Sequence, residues 1–186
     1  MKFMGYIRPD KVGGIVNSFK YKGLTVRVVM DWAMGHVIDN GFKGQIMGSS
    51  RNNNNAIKDA MTNSWQSAND GTKYPKYTVQ SDYDYQYRNH MRWDNQIGSS
   101  ESGSTNNSLY FSKGDYLAFR EVSLSYMLPS TWVRKIRLSR VEVFAGAYNI
   151  GYIKKYDGMF PEIYTGVDYG VYPRPRQYNM GVKINF

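Results

Sequence analysis

The sequence contains no cysteine and only two histidines, His36 and His90. Without cysteine there is no disulfide framework, no thiolate metal site and no cysteine nucleophile. The two histidines lie far apart in the sequence, and neither a Gly-x-Ser-x-Gly motif nor a phosphate-binding glycine-rich loop occurs. We therefore expect no catalytic residue, no metal site, no cofactor and no enzymatic activity.

Long apolar runs are also missing, because no segment approaches the roughly 20 residues of a membrane-spanning helix. At the amino-terminus, Arg8, Pro9 and Asp10 interrupt any export-signal core. The chain is instead rich in aromatic residues, at 16% with 17 tyrosines, and carries a net charge of +9. Many tyrosines and glycines with low mean hydropathy are typical of membrane barrel strands. The positive charge fits solvated loops and a basic lumen, or attraction to nucleic acid or anionic lipid.

The last residues of the chain alternate between apolar and polar or small side chains. The apolar positions are Tyr178, Met180, Val182, Ile184 and Phe186. This period of two predicts a strand with one apolar and one polar face. At the edge of a soluble sheet such a strand invites aggregation, whereas a closed membrane barrel pairs it. The ending therefore favours a membrane barrel over a soluble sheet.

Similar patterns predict five strands in all. The predicted ranges are 12–21, 24–37, 115–128, 139–150 and 176–186, with a long loop at 39–110. In the second strand, Arg27 and Asp31 share the polar face, which fits either a polar lumen or the wet side of a soluble sheet. In the third strand, Tyr116, Ala118 and Val122 are assigned to one apolar face. Arg120 interrupts this face, which would be explained if its side chain contacted a partner or if the strand had a bulge there.

The long loop is rich in asparagine, glycine and serine. Apolar residues recur at helical spacing from Ile57 to Trp65 and predict one short helix, with Asn54 or Asn55 near its cap. The loop aromatics either stack on a ligand or pack within the loop itself. These candidate ligand contacts are Trp65, Tyr83, Tyr85, Tyr87 and Trp93. Such a long loop is uncommon in compact soluble domains but ordinary on the outer side of a membrane barrel.

Several segments match a known pattern in order. Residues 115–129 read DYLAFREVSLSYMLP, residues 148–150 read YNI, residues 155–162 read KYDGMFPE and residues 168–176 read DYGVYPRPR. Together these segments resemble SusC/RagA-like TonB-linked (TonB-dependent) outer-membrane proteins, and residues 14–34 resemble the family's upstream hairpin more loosely. The spacing of Asn179, Gly181, Ile184 and Phe186 also resembles the signal that hands outer-membrane barrels to the barrel-assembly machinery.

The resemblance implies an all-β fold: a segment of an antiparallel transmembrane β-barrel, the last strands of a large plugged barrel, with long extracellular loops and one short loop helix. It implies a place in the outer membrane of a Gram-negative bacterium, in contact with the lipid bilayer. Glycan or peptide uptake would proceed with a SusD-like surface lipoprotein and the TonB complex. The plug domain and signal peptide have no counterpart here, so residues 1–186 are expected to be the carboxy-terminal part of the barrel.

Two other classes of function remain open from the residues alone. A soluble all-β carbohydrate-binding module would use the tyrosines as a stacking surface. A basic nucleic-acid binder is permitted by the net charge, but no motif supports it, and we expect no nucleic-acid partner.

Overall fold

The structure is a computed structural model that describes residues 3–47, 57–68, 70–72 and 108–186. The strands are β1 (Lys11–Tyr21), β2 (Leu24–Met34), β3 (Val37–Asp39), β4 (Phe111–Lys113), β5 (Tyr116–Met127), β6 (Arg140–Lys154) and β7 (Gln177–Asn185). The helices are α1 (Gly41–Met47), α2 (Lys58–Thr62) and α3 (Ser130–Val133), with 3-10 turns at Ser108–Tyr110 and Arg134–Ile136.

The chain divides into two compact units. The sheet unit contains Pro9–His36, Gly114–Lys155 and Tyr172–Phe186, and the loop unit contains Met1–Arg8, Val37–Lys113 and Tyr156–Val171. No helix among the described residues has the length and apolar character needed to cross a membrane.

The sheet unit is one antiparallel sheet in the order β1-β2-β5-β6-β7. A two-residue turn joins β1 to β2, with Lys22 at φ 44° and Gly23 at φ 86°. Two central residues with positive φ match the right-handed twist of the flanking strands, which makes this turn type common in hairpins. β1 and β7 form the two edges of the sheet, so these five strands do not close into a barrel.

One face of the sheet is apolar across all five strands. Residues directly opposite each other in a ladder project to the same side, so the register assigns every side chain to a face. The apolar side chains of this face are Ile15, Phe19, Tyr21, Leu24, Val26, Val28, Met30, Trp32, Met34, Leu117, Phe119, Val122, Leu124, Tyr126, Val141, Val143, Ala145, Ala147, Ile153, Tyr178, Met180, Val182 and Ile184, and Lys11 and Asn17 of β1 are its polar members.

The opposite side, which we call the polar face, carries most of the charged and hydroxyl side chains of the sheet. Its polar members include Ser18, Lys20, Thr25, Arg27, Asp31, Glu121, Ser123, Ser125, Arg140, Glu142, Gln177, Asn179 and Lys183. The side chains on one face of the sheet are therefore mainly apolar, and most of the charged side chains lie on the other face, across all five strands.

A bulge at Arg120 corrects part of the predicted pattern of β5. The ladder with β6 pairs Phe119 with Gly151 and Glu121 with Tyr148, so two residues of β6 lie opposite Arg120 alone. One of them, Asn149, has a left-handed φ of 51°. In the ladder with β2, Phe119 and Glu121 lie opposite the adjacent residues Met30 and Val29, so Arg120 is an extra residue of β5 and reverses the alternation of its side chains. The prediction that placed Tyr116 and Ala118 on the apolar face was therefore wrong, because Leu117 and Phe119 occupy it instead.

Two predicted strand boundaries were also wrong. The range 24–37 runs too far, because Gly35 has a φ of 86° and ends β2 at Met34, after which Val37 begins the separate strand β3. The range 139–150 is too short, because the bulge lets β6 continue to Lys154.

The predicted loop at 39–110 contains regular structure that the sequence pattern did not show, including α1. The predicted short helix corresponds to α2, but the residue at its N-cap is Ile57 and Trp65 follows the helix rather than lying in it. Asn54 and Asn55 lie outside the described residues.

The loop unit is organised around a short two-stranded sheet, β3 with β4. Asp39 continues the pairing through a parallel bridge to Val167. Ile38 and Tyr110 are completely buried, and Phe160 is 5% exposed. These contacts give the loop unit a packed interior despite its few regular elements.

Gly13 on β1 makes room for an aromatic ring of the apolar face. It lies directly opposite Trp32, and a Cβ atom at this glycine would overlap Cζ2 of the indole. We expect Gly13→Ala to destabilise the sheet by roughly 1–3 kcal/mol, because a well-packed contact cannot absorb an added methyl group. The urea midpoint of the folded protein measures this loss.

Gly151 offers the matched control, since the nearest atom to a Cβ there is 3.9 Å away, on Arg176. Gly151→Ala should leave the midpoint almost unchanged, and adding Trp32→Leu to Gly13→Ala should recover stability. Equal losses at the two glycines would contradict the packing argument.

Candidate functional site

The polar face holds a bidentate ion pair between β2 and β5. Both nitrogens Nε and Nη2 of Arg120 donate to Asp31, with Nη2 2.7 Å from Oδ2. Nη1 of Arg120 also donates to the hydroxyl of Tyr152 at 3.3 Å, and its guanidinium lies 5.8 Å from the centre of that ring. Bidentate geometry fixes orientation as well as charge. The bulge places Arg120 on this face, where its sequence position alone would not.

A second ion pair crosses the same two strands. Nε of Arg27 lies 3.4 Å from Oε2 of Glu121, and the hydroxyl of Ser123 donates to Oε1 at 2.8 Å. On β6, Nη2 of Arg140 lies 3.0 Å from Oε2 of Glu142. The polar face thus presents both signs of charge, held in cross-strand and neighbouring ion pairs.

In the loop unit, Tyr156 and Asp168 form a buried hydrogen bond. The Tyr156 hydroxyl donates to Oδ2 of Asp168 at 2.6 Å, and both residues are almost fully buried. Burial, together with this bond to a carboxylate, raises the pKa of Tyr156 well above its usual value. Oδ1 of Asp168 accepts from the backbone N–H groups of Gly170 and Val171. One side chain therefore organises the segment from Tyr156 to Val171.

Asp157 joins three parts of the loop unit. Its carboxylate accepts from Nζ of Lys43, from the hydroxyl of Ser112 at 2.7 Å and from the amide of Asn40 at 3.4 Å. Burial disfavours its ionised form, but the donors, led by Lys43 and Ser112, outweigh that cost and hold the pKa of Asp157 below its usual value. This carboxylate is therefore a hydrogen-bonding centre of the loop unit.

At the end of β2 and the start of β5, Asp115 connects the two strands. It accepts from the backbone N–H of Gly35 at 2.8 Å and pairs with Nζ of Lys155 at 3.1 Å. These contacts overcome burial and lower the pKa of Asp115. Beside it, burial lowers the pKa of His36, although the charge of Asp115 opposes that effect.

The residues of the predicted assembly signal are distributed along β7 and do not form one cluster. Asn179 and Gly181 lie on the polar face and Ile184 on the apolar face. Phe186 follows the strand with 95% of its surface exposed, and its carbonyl accepts from the hydroxyl of Ser139 at 3.2 Å. The role of these four residues as an assembly signal remains a prediction.

Gly181 has a packing role that the sequence did not reveal. It lies opposite Phe144, and a Cβ atom there would come within 2.7 Å of Cζ of that ring. Nζ of Lys183 lies 5.2 Å from the centre of the same ring. Local packing against Phe144 therefore favours glycine at position 181.

Among the candidate ligand-contacting aromatics, Trp65 is 43% exposed, just after α2. The turn that follows it is held by Asp70, whose pKa is lowered to about 2 by hydrogen bonds from the backbone N–H groups of Gln66 and Ser67 and from Thr72. The remaining candidates, Tyr83, Tyr85, Tyr87 and Trp93, lie outside the described residues. In the part of the chain that the structure describes, no group of three or more histidine, aspartate or glutamate residues is placed to hold a metal ion.

Comparison with known proteins bears on the whole chain. No family model matches it. The chain is 25% identical, over 197 aligned positions, to TonB-dependent receptor P3 of Formosa agariphila, covering 100% of this chain and 17% of that receptor. The RagAB peptide importer in its closed-closed state matches with a TM-score of 0.70 at 21% identity, over 100% of this chain and 18% of that one. The resemblance to SusC/RagA-like TonB-dependent transporters is confirmed.

The open-open state of RagAB gives a similar match, with a TM-score of 0.69 at 22% identity over 96% of this chain and 17% of that one. At this level of identity the structural match shows the fold. The five-stranded sheet and its connections thus have the fold of one portion of a TonB-dependent barrel. The chain spans less than a fifth of the length of each relative.

Sequence reasoning missed the contacts of Tyr156, Asp157 and Asp168 because their partners are remote in the sequence. All three nevertheless lie in the segments 155–162 and 168–176 that carry the resemblance to the TonB-dependent family. In this chain those segments supply the interior of the loop unit.

The two ion pairs that join β2 to β5 should differ in strength. The Arg120 and Asp31 side chains are 20% and 33% exposed, and bidentate, whereas Arg27 is 45% exposed with one contact to Glu121. A double-mutant cycle with Asp31→Ala and Arg120→Ala should give a coupling energy of about 1.5–3 kcal/mol. The cycle with Arg27→Ala and Glu121→Ala should give about 0.2–1 kcal/mol. Equal coupling energies, measured by urea unfolding, would overturn this ranking.

Because its pKa is depressed, ionised Asp157 stabilises the loop unit at pH values above its unfolded pKa of about 3.9. This stabilisation is lost as the pH falls through the lower folded pKa. Asp157→Asn should therefore speed amide hydrogen exchange around Lys43 and Ser112 at neutral pH. The free energy of local opening should fall by no more than about 1 kcal/mol, because the carboxyl is 39% exposed. The difference from the native protein should shrink below about pH 4.

Ser112→Ala serves as the companion variant, because it removes one donor and keeps the carboxylate. Its effect at neutral pH should be smaller than that of Asp157→Asn. An Asp157→Asn effect that stays constant from neutral pH to the lowest pH would show that the charge of the carboxylate is not what stabilises the loop unit.

Proposed function

We propose that this chain forms part of the wall of a TonB-dependent importer in the outer membrane of a Gram-negative bacterium. The observation that carries the proposal is the apolar face, which continues across all five strands and lies opposite a charged face. Strands with alternating lipid-facing and lumen-facing residues build outer-membrane barrels. The strand lengths support the same conclusion, because β2 has 11 residues, as a tilted membrane strand requires.

The exposure of the apolar face argues against a soluble protein. Leu124 and Val143 are 46% and 44% exposed in the middle of the sheet, and Met180 on β7 is 86% exposed. Soluble monomers expose apolar residues singly and seldom in contiguous patches beyond a few hundred Å². A soluble carbohydrate-binding module would need a second layer to cover this face, whereas lipid covers it in a barrel.

The two edges of the sheet also support membership in a larger barrel. In a bilayer, unpaired backbone N–H and C=O groups at a strand edge cost several kcal/mol each, by order of magnitude. β1 and β7 therefore require neighbouring strands. The receptor and importer chains, of which this chain covers 17–18%, have enough length to supply them.

The resemblance to TonB-dependent transporters supports a proposal for the cargo and partners of this chain. We propose uptake of a peptide or an oligosaccharide with a SusD-like surface lipoprotein, driven by the TonB complex through a plug-bearing segment. The RagAB match, which is described as a peptide importer, makes peptides the first cargo to test. Trp65 is the described candidate for a loop contact with cargo, and Asn179, Gly181, Ile184 and Phe186 are proposed to be read by the barrel-assembly machinery.

Cysteine labelling tests the membrane wall, because the chain contains no cysteine of its own. Leu124 and Ser123 are adjacent residues on opposite faces of β5. A spin label at Leu124→Cys should collide with oxygen, which concentrates in lipid, and should be shielded from a water-soluble nickel complex. A label at the matched control Ser123→Cys should show lower oxygen collision.

The same alternation should continue at Val122→Cys and Val143→Cys, both on the apolar face. If the labels at Leu124 and Val143 collide with the nickel complex as freely as labels on a soluble protein, the chain does not face lipid. In that case the proposed function fails.

A further inference from the structure

The connection between β5 and β6 exposes two large apolar side chains outside the sheet. Trp132 in α3 is 61% exposed and Ile136 in the following 3-10 turn is 65% exposed. Residues four apart on a helical turn project to the same side. Val133, between them, is 2% exposed and holds the turn against the sheet unit. The connection is therefore a fixed platform whose apolar side faces outward.

The turn is closed by a rigid helix-ending motif. The N–H of Arg137 donates to the carbonyl of Arg134 at 3.1 Å, and the N–H of Leu138 donates to the carbonyl of Val133 at 3.2 Å. This pair of bonds defines a Schellman motif, in which the left-handed position is usually glycine. Here Arg137 occupies it with a φ of 59°. A left-handed backbone is strained for arginine, because its Cβ atom crowds the neighbouring carbonyl group. Arg137 nevertheless occupies this position and adds a cation to the platform.

The platform is strongly basic. Residues 130–140 contain Arg134, Lys135, Arg137 and Arg140 and no aspartate or glutamate. Arg140 pairs with Glu142. Within the part of the chain that the structure describes, no ion pair engages the other three cations. We call Trp132, Arg134, Lys135, Ile136 and Arg137 the basic anchor.

The basic anchor lies at the end of the sheet where the connections are short. The N–H of Met127 donates to the carbonyl of Gly23 at 2.8 Å, so the β1–β2 turn is adjacent to the end of β5. On the polar face at this end, Lys20 of β1, Lys22 of the turn, Arg140 and Glu142 line an open cavity of about 470 Å³. In outer-membrane barrels the short turns face the periplasm. The basic anchor therefore lies at the level at which the strands leave the bilayer on that side.

Neighbouring strands of the barrel do not account for the exposed side chains. β5 and β6 are flanked by β2 and β7 within this chain, so the wall beside the connection is already present. Tryptophan beside lysine and arginine is the combination enriched where a membrane protein meets the lipid headgroups. Positive charge without acidic residues complements an anionic headgroup layer and supplies the ionic attraction that an apolar contact alone lacks.

We propose that the basic anchor binds anionic phospholipid headgroups of the periplasmic leaflet, with Trp132 and Ile136 inserted at the interface and the three cations on the phosphates. This inference rests on the proposed function, since it requires the sheet to cross a bilayer. It adds a lipid-binding site that fixes the depth of the wall at the short-turn end.

Quenching of tryptophan fluorescence by brominated lipids tests the anchor in the intact protein reconstituted into phosphatidylcholine vesicles. The vesicles contain the same fraction of either brominated phosphatidylglycerol or brominated phosphatidylcholine. The signal of Trp132 is the difference between the native protein and Trp132→Phe, a conservative change. One cation near the surface favours an anionic lipid by about 1 kcal/mol, which corresponds to about five-fold. We therefore expect brominated phosphatidylglycerol to quench Trp132 at least about five-fold more strongly than brominated phosphatidylcholine does.

The triple variant Arg134→Gln, Lys135→Gln and Arg137→Gln should abolish this preference. A matched triple removes the same charge at the other end of the sheet unit and in the loop unit, by Lys11→Gln, Lys113→Gln and Arg176→Gln. It should keep the preference. Equal effects of the two triples would attribute the attraction to net charge and overturn the proposal.

Trp32 separates the two levels of inference, because it lies on the apolar face of β2. Its signal, obtained from Trp32→Phe, should be quenched equally by both lipids. If Trp32 is quenched and Trp132 is not, or if Trp132 shows no preference, the anchor proposal fails alone. If Trp32 is not quenched either, the membrane wall itself fails and the anchor with it. A basic anchor that docks a protein segment would leave Trp132 unquenched.

Discussion

Pairing of backbone hydrogen-bonding groups is the constraint on which the rest of this structure depends. A strand in a bilayer has no water to satisfy its N–H and C=O groups, so each strand must be paired along its length. Four antiparallel ladders meet this need between β1 and β7. Once the ladders are set, the period of two assigns each regularly paired side chain to the apolar or the polar face. The ion pairs, the apolar face and the basic anchor all follow from that assignment.

The bulge at Arg120 shows how one residue can redistribute function without breaking the ladder. With unbroken alternation, Arg120 would share the apolar face with Val122 and Leu124 and place a guanidinium among apolar side chains. The extra residue restores the pairing beyond it and brings Arg120 to Asp31 and Tyr152. An irregularity that interrupted the sequence pattern is thus the feature that makes the charged face continuous.

The sequence predicted the all-β fold well because β7 and most of β2 alternate between apolar and polar residues, and a local pattern suffices to detect them. It was less successful where structure depends on distant contacts. β3 and β4 have three residues each, too few for a period, and exist because they pair with one another across the long loop. The same holds for Tyr156 and Asp168, whose bond joins segments recognisable only by their resemblance to a family. The aromatic candidates in the long loop stay predictions.

The seam between β2 and β5 has a consequence for the order of assembly. The bond from Gly35 to Asp115 joins residues 80 positions apart, whereas β1 and β2 are joined by two residues. Each doubling of a loop costs about 0.6 kcal/mol of closure entropy, so closing this one costs about 3 kcal/mol more than closing the hairpin. The hairpin therefore forms early as a local nucleus, and the seam forms late. A chain stalled during assembly would accumulate as two separate sheets, divided along that line.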